Sequence, residues 1–191
     1  MRKSLCVFAG SNLGVAPQFS EAARDLGREL AARGYGLVYG GASVGLMGVI
    51  ADAVLAAGGH VTGVIPSFLA EKELAHQCLS DLKIVGSMHE RKETMASLSD
   101  GFVALPGGFG TLEELFEVFT WAQLGLHDKP CGLLDICGYY QSLLEFLDDA
   151  VTAEFVNGAH RSMVLVANEA RLLLDRMESY RAPLAAKWQA T

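Results

Sequence analysis

Short runs of apolar residues alternate with longer helix-like segments along almost the whole chain. Between these runs lie amphipathic patterns, as in residues 16–34, where small and large apolar residues recur at spacings of three and four. Continuous apolar strands that are each followed by a helix are typical of a parallel sheet buried on both faces. The handedness of such crossovers then predicts an α/β fold with a Rossmann-like, doubly wound parallel sheet. The predicted strands are LCVFAG (5–10), GLVYGG (36–41), HVTGVIP (60–66), LKIVG (82–86), GFVALPGG (101–108), CGLLDI (131–136) and SMVLVA (162–167).

The chain of 191 residues is of a length for one domain, which we place at residues 1–180 and follow with a C-terminal tail, 181–191. A net charge of −7 without a local basic patch argues against a nucleic-acid partner. No apolar run is long enough to span a membrane, and the N-terminus enters a strand directly without an export signal. We therefore expect a cytoplasmic protein.

The four cysteines are Cys6, Cys78, Cys131 and Cys137, and no two of them form a CxxC pair. The five histidines are scattered as well. Because zinc and redox sites need closer ligand spacing, the pattern predicts buried free thiols and neither a metal site nor a cofactor.

Glycine-rich loops follow several of the predicted strands. In a doubly wound sheet, ligands bind beyond the carboxyl ends of the strands, and four loops lie there: 10–14, 40–48, 66–73 and 106–111. Glycine lets the backbone approach a ligand closely, and a helix N-terminus that follows it suits a phosphate. One such loop is equally compatible with a tight turn. Three of them on one edge favour a nucleotide or sugar-phosphate site.

The loop sequences exclude the common nucleotide cofactor classes. The chain has no GxxxxGK[ST] motif, and its first turn reads GSNLG where a dinucleotide site would have GxGxxG. The acidic residue that binds the NAD ribose is also missing after the second strand, which ends in Gly40 and Gly41. A mononucleotide therefore fits the loops better than a dinucleotide.

Two pairs of charged residues flank the PGGFGT loop. Arg91 and Lys92 are expected at the start of a helix, where cations oppose the helix dipole, so helix stability does not explain them. A solvated helix face is the alternative interpretation. Glu113 and Glu114 are expected in the first turn of the next helix, where carboxylates favour the dipole and could be plain capping residues.

Five segments together closely resemble the LONELY GUY (LOG) family of cytokinin riboside 5′-monophosphate phosphoribohydrolases, whose members are often mislabelled as lysine decarboxylases. The likeness runs in register from Leu5 to beyond Tyr140. Two departures are Ala42, where many members have glycine, and FAGSN (8–12), where CGSS is usual; both bear on substrate preference. The segments are VYGGASVGLMG (38–48), GVIP (63–66), MHERK (88–92), LPGGFGTLEE (105–114) and TWAQLGLHDKP (120–130).

The resemblance implies cleavage of the N-glycosidic bond of adenosine 5′-monophosphates, including N6-modified ones, to a free base and ribose 5-phosphate. Arg91 and Glu114 would be the catalytic pair: Glu114 would stabilise the oxocarbenium-like transition state or activate water, and Arg91 would anchor phosphate or ribose. The proton for the departing base could come from water or from a neighbouring side chain. The implied substrate-binding residues are Glu73, Arg91, Lys92, Gly108, Phe109, Gly110, Thr111, Leu112, Glu113, Glu114 and Thr120.

Two other functions and one assembly are open at this stage. A non-catalytic carrier of a nucleotide or of a cofactor such as molybdenum cofactor would use the same scaffold, and a structural oligomer would keep only a vestigial pocket. Residues 112–126 are apolar over more than one helix face, which predicts a homodimer with this helix at or near the interface. Within that segment, Trp121 and Leu124 are expected in the core or the dimer contact. The sequence does not distinguish adenine from isopentenyladenine as the physiological base.

Overall fold

Seven parallel strands form one sheet in the computed structural model, which describes residues 2–70 and 75–183. The sheet confirms the predicted α/β, doubly wound fold, and each predicted apolar run overlaps one strand, with β1 and β4 beginning one residue earlier than predicted. The strand order is β4-β3-β2-β1-β5-β6-β7. The strands are β1 (Ser4–Phe8), β2 (Gly36–Tyr39), β3 (Val61–Pro66), β4 (Asp81–Val85), β5 (Gly101–Ala104), β6 (Cys131–Leu134) and β7 (Val164–Ala167).

Within the described ranges, seven α-helices connect the strands and an eighth follows β7. The first begins with proline, whose fixed φ suits a helix start, and ends before Gly34, which has a left-handed φ of 75°. The described part of the less regular connection predicted for 67–81 holds the single-turn helix α3 and an isolated bridge from Ala75 to Ala42, and its last residue begins β4. Of the predicted tail, residues 181–183 are described. The helices are α1 (Pro17–Ala32), α2 (Gly45–Ala56), α3 (Ser67–Ala70), α4 (Met88–Ser97), α5 (Phe109–Gln123), α6 (Gln141–Thr152), α7 (Gly158–Arg161) and α8 (Ala170–Ser179).

The sheet is buried between two layers of helices. Helices α1, α2 and α8 pack on one face, where Leu26, Ile50 and Leu173 are fully buried. Helices α4, α5 and α6 cover the other face, and Met95 and Leu115 are buried there. Because both faces are covered, alternate residues of the central strands enter one core or the other, which explains their continuous apolar character.

The strand order reverses direction at β1. This strand pairs with β2 on one side and with β5 on the other, so that Leu5 lies opposite both Leu37 and Gly101. The loops that leave β1 and β5 therefore diverge to opposite faces and open a crevice at the carboxyl edge, where such folds bind ligands.

The prediction of buried thiols is wrong for half of the cysteines. Cys6 and Cys131 lie in strands and are buried, whereas Cys78 and Cys137 lie in loops and are exposed. The described helices include none that is both long and apolar enough to cross a membrane.

Candidate active site

Three of the glycine-rich loops interlock at the carboxyl edge of the sheet. The Gly10 amide donates to the Pro106 carbonyl (3.1 Å), and the Leu46 amide donates to the Gly10 carbonyl (3.0 Å). Gly45 has a left-handed φ of 59°, and a side chain there would collide with the backbone of Ser11. The contacts join the loops after β1, β2 and β5 around a cleft of about 240 Å³. Its walls are residues 10–14 and 106–108 with Phe19, Leu46 and Tyr139.

The loop after β5 leads to an open helix end. Gly108 is the N-cap of α5, and no side chain of the described residues caps this helix. A methyl group at Gly108 or Gly110 would meet nothing within 4 Å in the described part of the chain, and Phe109 is 94% exposed. Thr111 is buried beneath the loop, and Leu112 packs into the α4–α6 core. Because the first N–H groups of a helix have no internal partner, this end can receive an anion.

Arg91 links β3 and the loop after β2 to α5. Its Nε donates to the Val64 carbonyl (3.1 Å) and its Nη2 to the Gly40 carbonyl (3.3 Å), while Nη1 lies 3.8 Å from Glu114 Oε1. Helix α4 begins at Met88, so Arg91 is its fourth residue and lies near its start, as expected. The hydrogen bonds, and not the helix dipole, account for the position of this buried cation.

The glycine that follows β2 makes room for Arg91. A side chain at Gly40 would collide with the Arg91 guanidinium. Gly41 adopts a φ of 76°, which glycine reaches at little cost. The glycines after β2 were predicted to let a ligand approach the backbone. Gly40 instead leaves space for the side chain of Arg91, which comes from α4.

Glu114 is a carboxylate whose ionisation is penalised by its surroundings. Its side chain is only 11% exposed. Burial raises the pKa of Glu114 to about 7, although the nearby Arg91 guanidinium lowers it and Glu113 raises it further. Helix α5 begins at Phe109, so the prediction that Glu113 and Glu114 lie in the first turn is wrong; both follow it. Capping therefore does not explain Glu114, and near neutral pH it can exchange a proton.

Lys92 binds two other carboxylates of α5. Its Nζ lies 2.5 Å from Glu113 Oε1 and 3.1 Å from Glu117 Oε1. Burial lowers the pKa of Lys92, but the hydrogen bonds to these two carboxylates outweigh it and raise the pKa overall. The single charge of Lys92 thus offsets part of the negative charge of the two carboxylates on either side of Glu114 along the helix.

The structure brings together most, but not all, of the predicted site residues. Arg91, Lys92 and residues 108–114 lie at or beside the start of α5. Thr120 lies about three turns along the same helix. Its hydroxyl donates to the Phe116 carbonyl (2.7 Å). It lines a separate groove of about 100 Å³ between α5 and residues 147–164. Glu73 lies outside the described residues.

A profile of the family described as "possible lysine decarboxylase" matches residues 47–177. The chain is also 51% identical to a probable cytokinin riboside 5'-monophosphate phosphoribohydrolase of Oryza sativa subsp. japonica, over 93% of this chain and 71% of that protein. The chain belongs to the LOG family. A second LOG protein, a cytokinin riboside 5'-monophosphate phosphoribohydrolase of Arabidopsis thaliana, is 51% identical over 93% of this chain and 84% of its own length.

Solved structures of lower identity share the LOG fold. The molybdenum cofactor binding protein of Rippkaea orientalis matches with a TM-score of 0.71 at 23% identity, over 94% of this chain and 98% of its own. The molybdenum cofactor carrier protein of Chlamydomonas reinhardtii matches with a TM-score of 0.70 at 20% identity, over 94% of this chain and 100% of its own. At this identity the likeness concerns the fold alone.

Tyr139 is a residue of the cleft that the sequence analysis missed. It follows β6, and its hydroxyl donates to the Gly107 carbonyl (2.6 Å). The rule that ligands bind beyond strand ends would have included the loop after β6, but only four loops were considered. Within residues 2–70 and 75–183, no group of three or more His, Cys, Asp or Glu side chains is placed to hold a metal ion.

Proposed function

We propose that this LOG protein hydrolyses the N-glycosidic bond of adenosine 5′-monophosphates, with or without an N6 substituent, to give the free base and ribose 5-phosphate. The observation that carries the proposal is the buried pair of Arg91 and Glu114 beside the uncapped start of α5. Membership of the family supports it, because both relatives named above are phosphoribohydrolases. A carrier would have no need of a buried acid–base group at this place.

Glu114 supplies the chemistry in this proposal. Breakage of the N-glycosidic bond builds positive charge at the anomeric carbon, and a carboxylate stabilises that charge or takes a proton from the attacking water. A pKa near 7 suits a group that must accept a proton at neutral pH. The Arg91 guanidinium lowers the pKa of Glu114 and so favours its ionised form despite the burial. Its Nη1 lies 3.8 Å from Glu114 Oε1, so both side chains face the same reacting centre in this proposal.

The open end of α5 holds the 5′-phosphate in this proposal. Its exposed backbone at Gly108, Phe109 and Gly110 and its positive dipole end favour a dianion. Lys92 offsets the charge of Glu113 and Glu117, which would otherwise repel the phosphate. The phosphate is remote from the bond that breaks, so its binding energy is available to position the ribose over Glu114.

We further propose a cytoplasmic homodimer. Apolar side chains remain exposed along α5 and α6, with Phe146 at 64% and Phe155 just beyond α6 at 87%. Thr120 lines the groove on this same side of the molecule. If it binds substrate, as the family resemblance implies, it does so across the dimer interface in the partner's site. Light scattering on Phe146→Glu should then show a monomer, whereas an unchanged dimer would place the interface elsewhere.

The decisive experiment is turnover of a panel of nucleoside monophosphates by the purified protein. We expect release of free base and ribose 5-phosphate from AMP, and turnover of AMP to exceed that of adenosine by at least about a hundredfold, as a few charge-assisted hydrogen bonds of about 1.5–3 kcal/mol each would give. Glu114→Gln should reduce turnover by about 10²–10⁴-fold while AMP still binds. Equal rates on AMP and adenosine would contradict the phosphate site, and normal turnover by the variant would contradict the role of Glu114.

A further inference from the structure

Three successive carbonyl groups of the loop before α5 each accept a hydrogen bond. The Leu105 carbonyl accepts from Tyr140 Oη (2.6 Å), and the Gly107 carbonyl accepts from Tyr139 Oη (2.6 Å). The Pro106 carbonyl between them accepts from the Gly10 amide (3.1 Å). The two adjacent tyrosines thus hold the first and third of these carbonyl groups, and the loop that follows β1 holds the second.

The turn that carries the tyrosines is itself firmly held. Cys137 and Gly138 have left-handed φ values of 55° and 70°, the former a conformation that a side chain disfavours. The Tyr140 amide donates to Asp135 Oδ1 (2.7 Å). The two tyrosine rings meet edge to face with centroids 5.0 Å apart, and Phe19 packs edge-on against Tyr139 at 5.8 Å. These contacts hold both hydroxyl groups at the loop carbonyls.

The geometry determines where the next N–H group points. In a trans peptide the C=O of Gly107 and the N–H of Gly108 lie in one plane and point in opposite directions. Because Tyr139 holds that carbonyl, the Gly108 N–H is turned to the opposite side of the loop. Gly108 is also the N-cap of α5, so the orientation of this peptide sets the first donor at the open helix end.

We propose that Tyr139 and Tyr140 are positioning residues for the phosphate-binding loop, an inference that rests on the proposed function. Neither residue contacts the reacting atoms in this assignment. Their hydroxyl groups hold the peptides of residues 105–108 in the orientation that presents N–H donors to the 5′-phosphate, so the loop is organised before substrate binds.

The test is Tyr139→Phe, which removes the donor and keeps the ring contacts. We expect kcat/KM for AMP to fall about tenfold, as loss of one hydrogen bond to the loop would give, while kcat/KM for adenosine stays unchanged because it has no phosphate. Inorganic phosphate, used as a competitive inhibitor, should bind about tenfold more weakly. The matched control is Tyr35→Phe, which removes a hydroxyl that donates to Glu178 of α8 (3.2 Å). Tyr35 directly precedes β2, so it lies at the amino edge of the sheet, opposite the loops.

The outcomes separate this inference from the proposed function. An unchanged AMP-to-adenosine preference together with unchanged phosphate affinity in Tyr139→Phe would overturn the inference. If the wild-type protein hydrolyses no nucleoside monophosphate, the proposed function fails. The inference about Tyr139 is then tested by calorimetry, which compares AMP binding by Tyr139→Phe and by Tyr35→Phe. Binding about tenfold weaker than in Tyr35→Phe supports the inference, and equal binding overturns it. For the buried Tyr140, a Tyr140→Phe variant that loses thermal stability but keeps its phosphate affinity would overturn the assignment of that residue.

Discussion

Replacing Glu114 by glutamine should make the protein more stable at neutral and alkaline pH while removing most of its activity. The pKa of Glu114 is raised from its ordinary 4.5 to about 7 in the folded protein, chiefly by burial. The folded state therefore binds this proton more tightly than the unfolded state does, and the free energy of unfolding falls as pH rises from about 4.5 to about 7. Glutamine is neutral throughout and carries no such penalty.

The size of the effect follows from the pKa difference. A shift from 4.5 to about 7 corresponds to about 3 kcal/mol at about 1.36 kcal/mol per pH unit. Below pH 4.5 the carboxyl group is protonated in both states and contributes nothing, and above pH 7 the penalty is constant. The pKa of about 7 already includes the attraction between the ionised Glu114 carboxyl group and Arg91, so the expected pH dependence needs no separate correction for the loss of that pair.

Urea unfolding of both proteins at about pH 5 and about pH 8, at one protein concentration, measures the effect. The stability of Glu114→Gln relative to the wild type should rise by about 2–3 kcal/mol between the two pH values. Glu93→Gln, a change of an exposed carboxylate on α4, should show no such pH dependence. If the difference between Glu114→Gln and wild type is the same at both pH values, Glu114 ionises normally, and the account of its buried site is wrong.

Two further predictions concern the pH dependence of turnover. If the carboxylate form of Glu114 is the active one, kcat for AMP should fall as pH drops through about 7, and a flat profile from about pH 5 to about pH 8 would contradict it. Lys92→Met leaves Glu113 and Glu117 unneutralised and should raise the pKa of Glu114, so the midpoint of that profile should move to higher pH. A midpoint that stays in place would mean that Lys92 does not act on Glu114.

The order of strands and helices could be predicted from the sequence because burial on both faces imposes continuous apolar runs. The start of α5, the helix that carries Glu114, could not. Helix α5 includes Gly110 in its first turn, and because glycine has a low helix propensity the pattern suggested a later start. That difference of a few residues placed Glu113 and Glu114 wrongly in the first turn, where capping would have explained them.

The contact between Arg91 and Glu114 could not be predicted from local sequence patterns. The two residues lie on different helices. Their approach depends on the packing of both helices on one face of the sheet, and on a guanidinium that reaches the Val64 carbonyl in β3 and the Gly40 carbonyl just after β2. Only the family resemblance named them together. The exposed thiols of Cys78 and Cys137 were missed for a related reason, since residue type alone does not tell a loop cysteine from a strand cysteine.

The glycines at the carboxyl edge differ in what requires them, and two alanine variants can separate the reasons. Gly40→Ala would collide with Arg91, so it should lower both stability and kcat.

Gly108 has φ −96° and ψ −150°, where alanine is also allowed, and its Cβ would meet no described atom within 4 Å. Gly108→Ala should therefore leave stability unchanged or raise it by up to about 1 kcal/mol. The methyl group would instead stand where the phosphate approaches, so calorimetry should show AMP binding at least about tenfold weaker, a loss of about 1.4 kcal/mol. Undiminished AMP affinity would mean that the ligand does not come near Gly108.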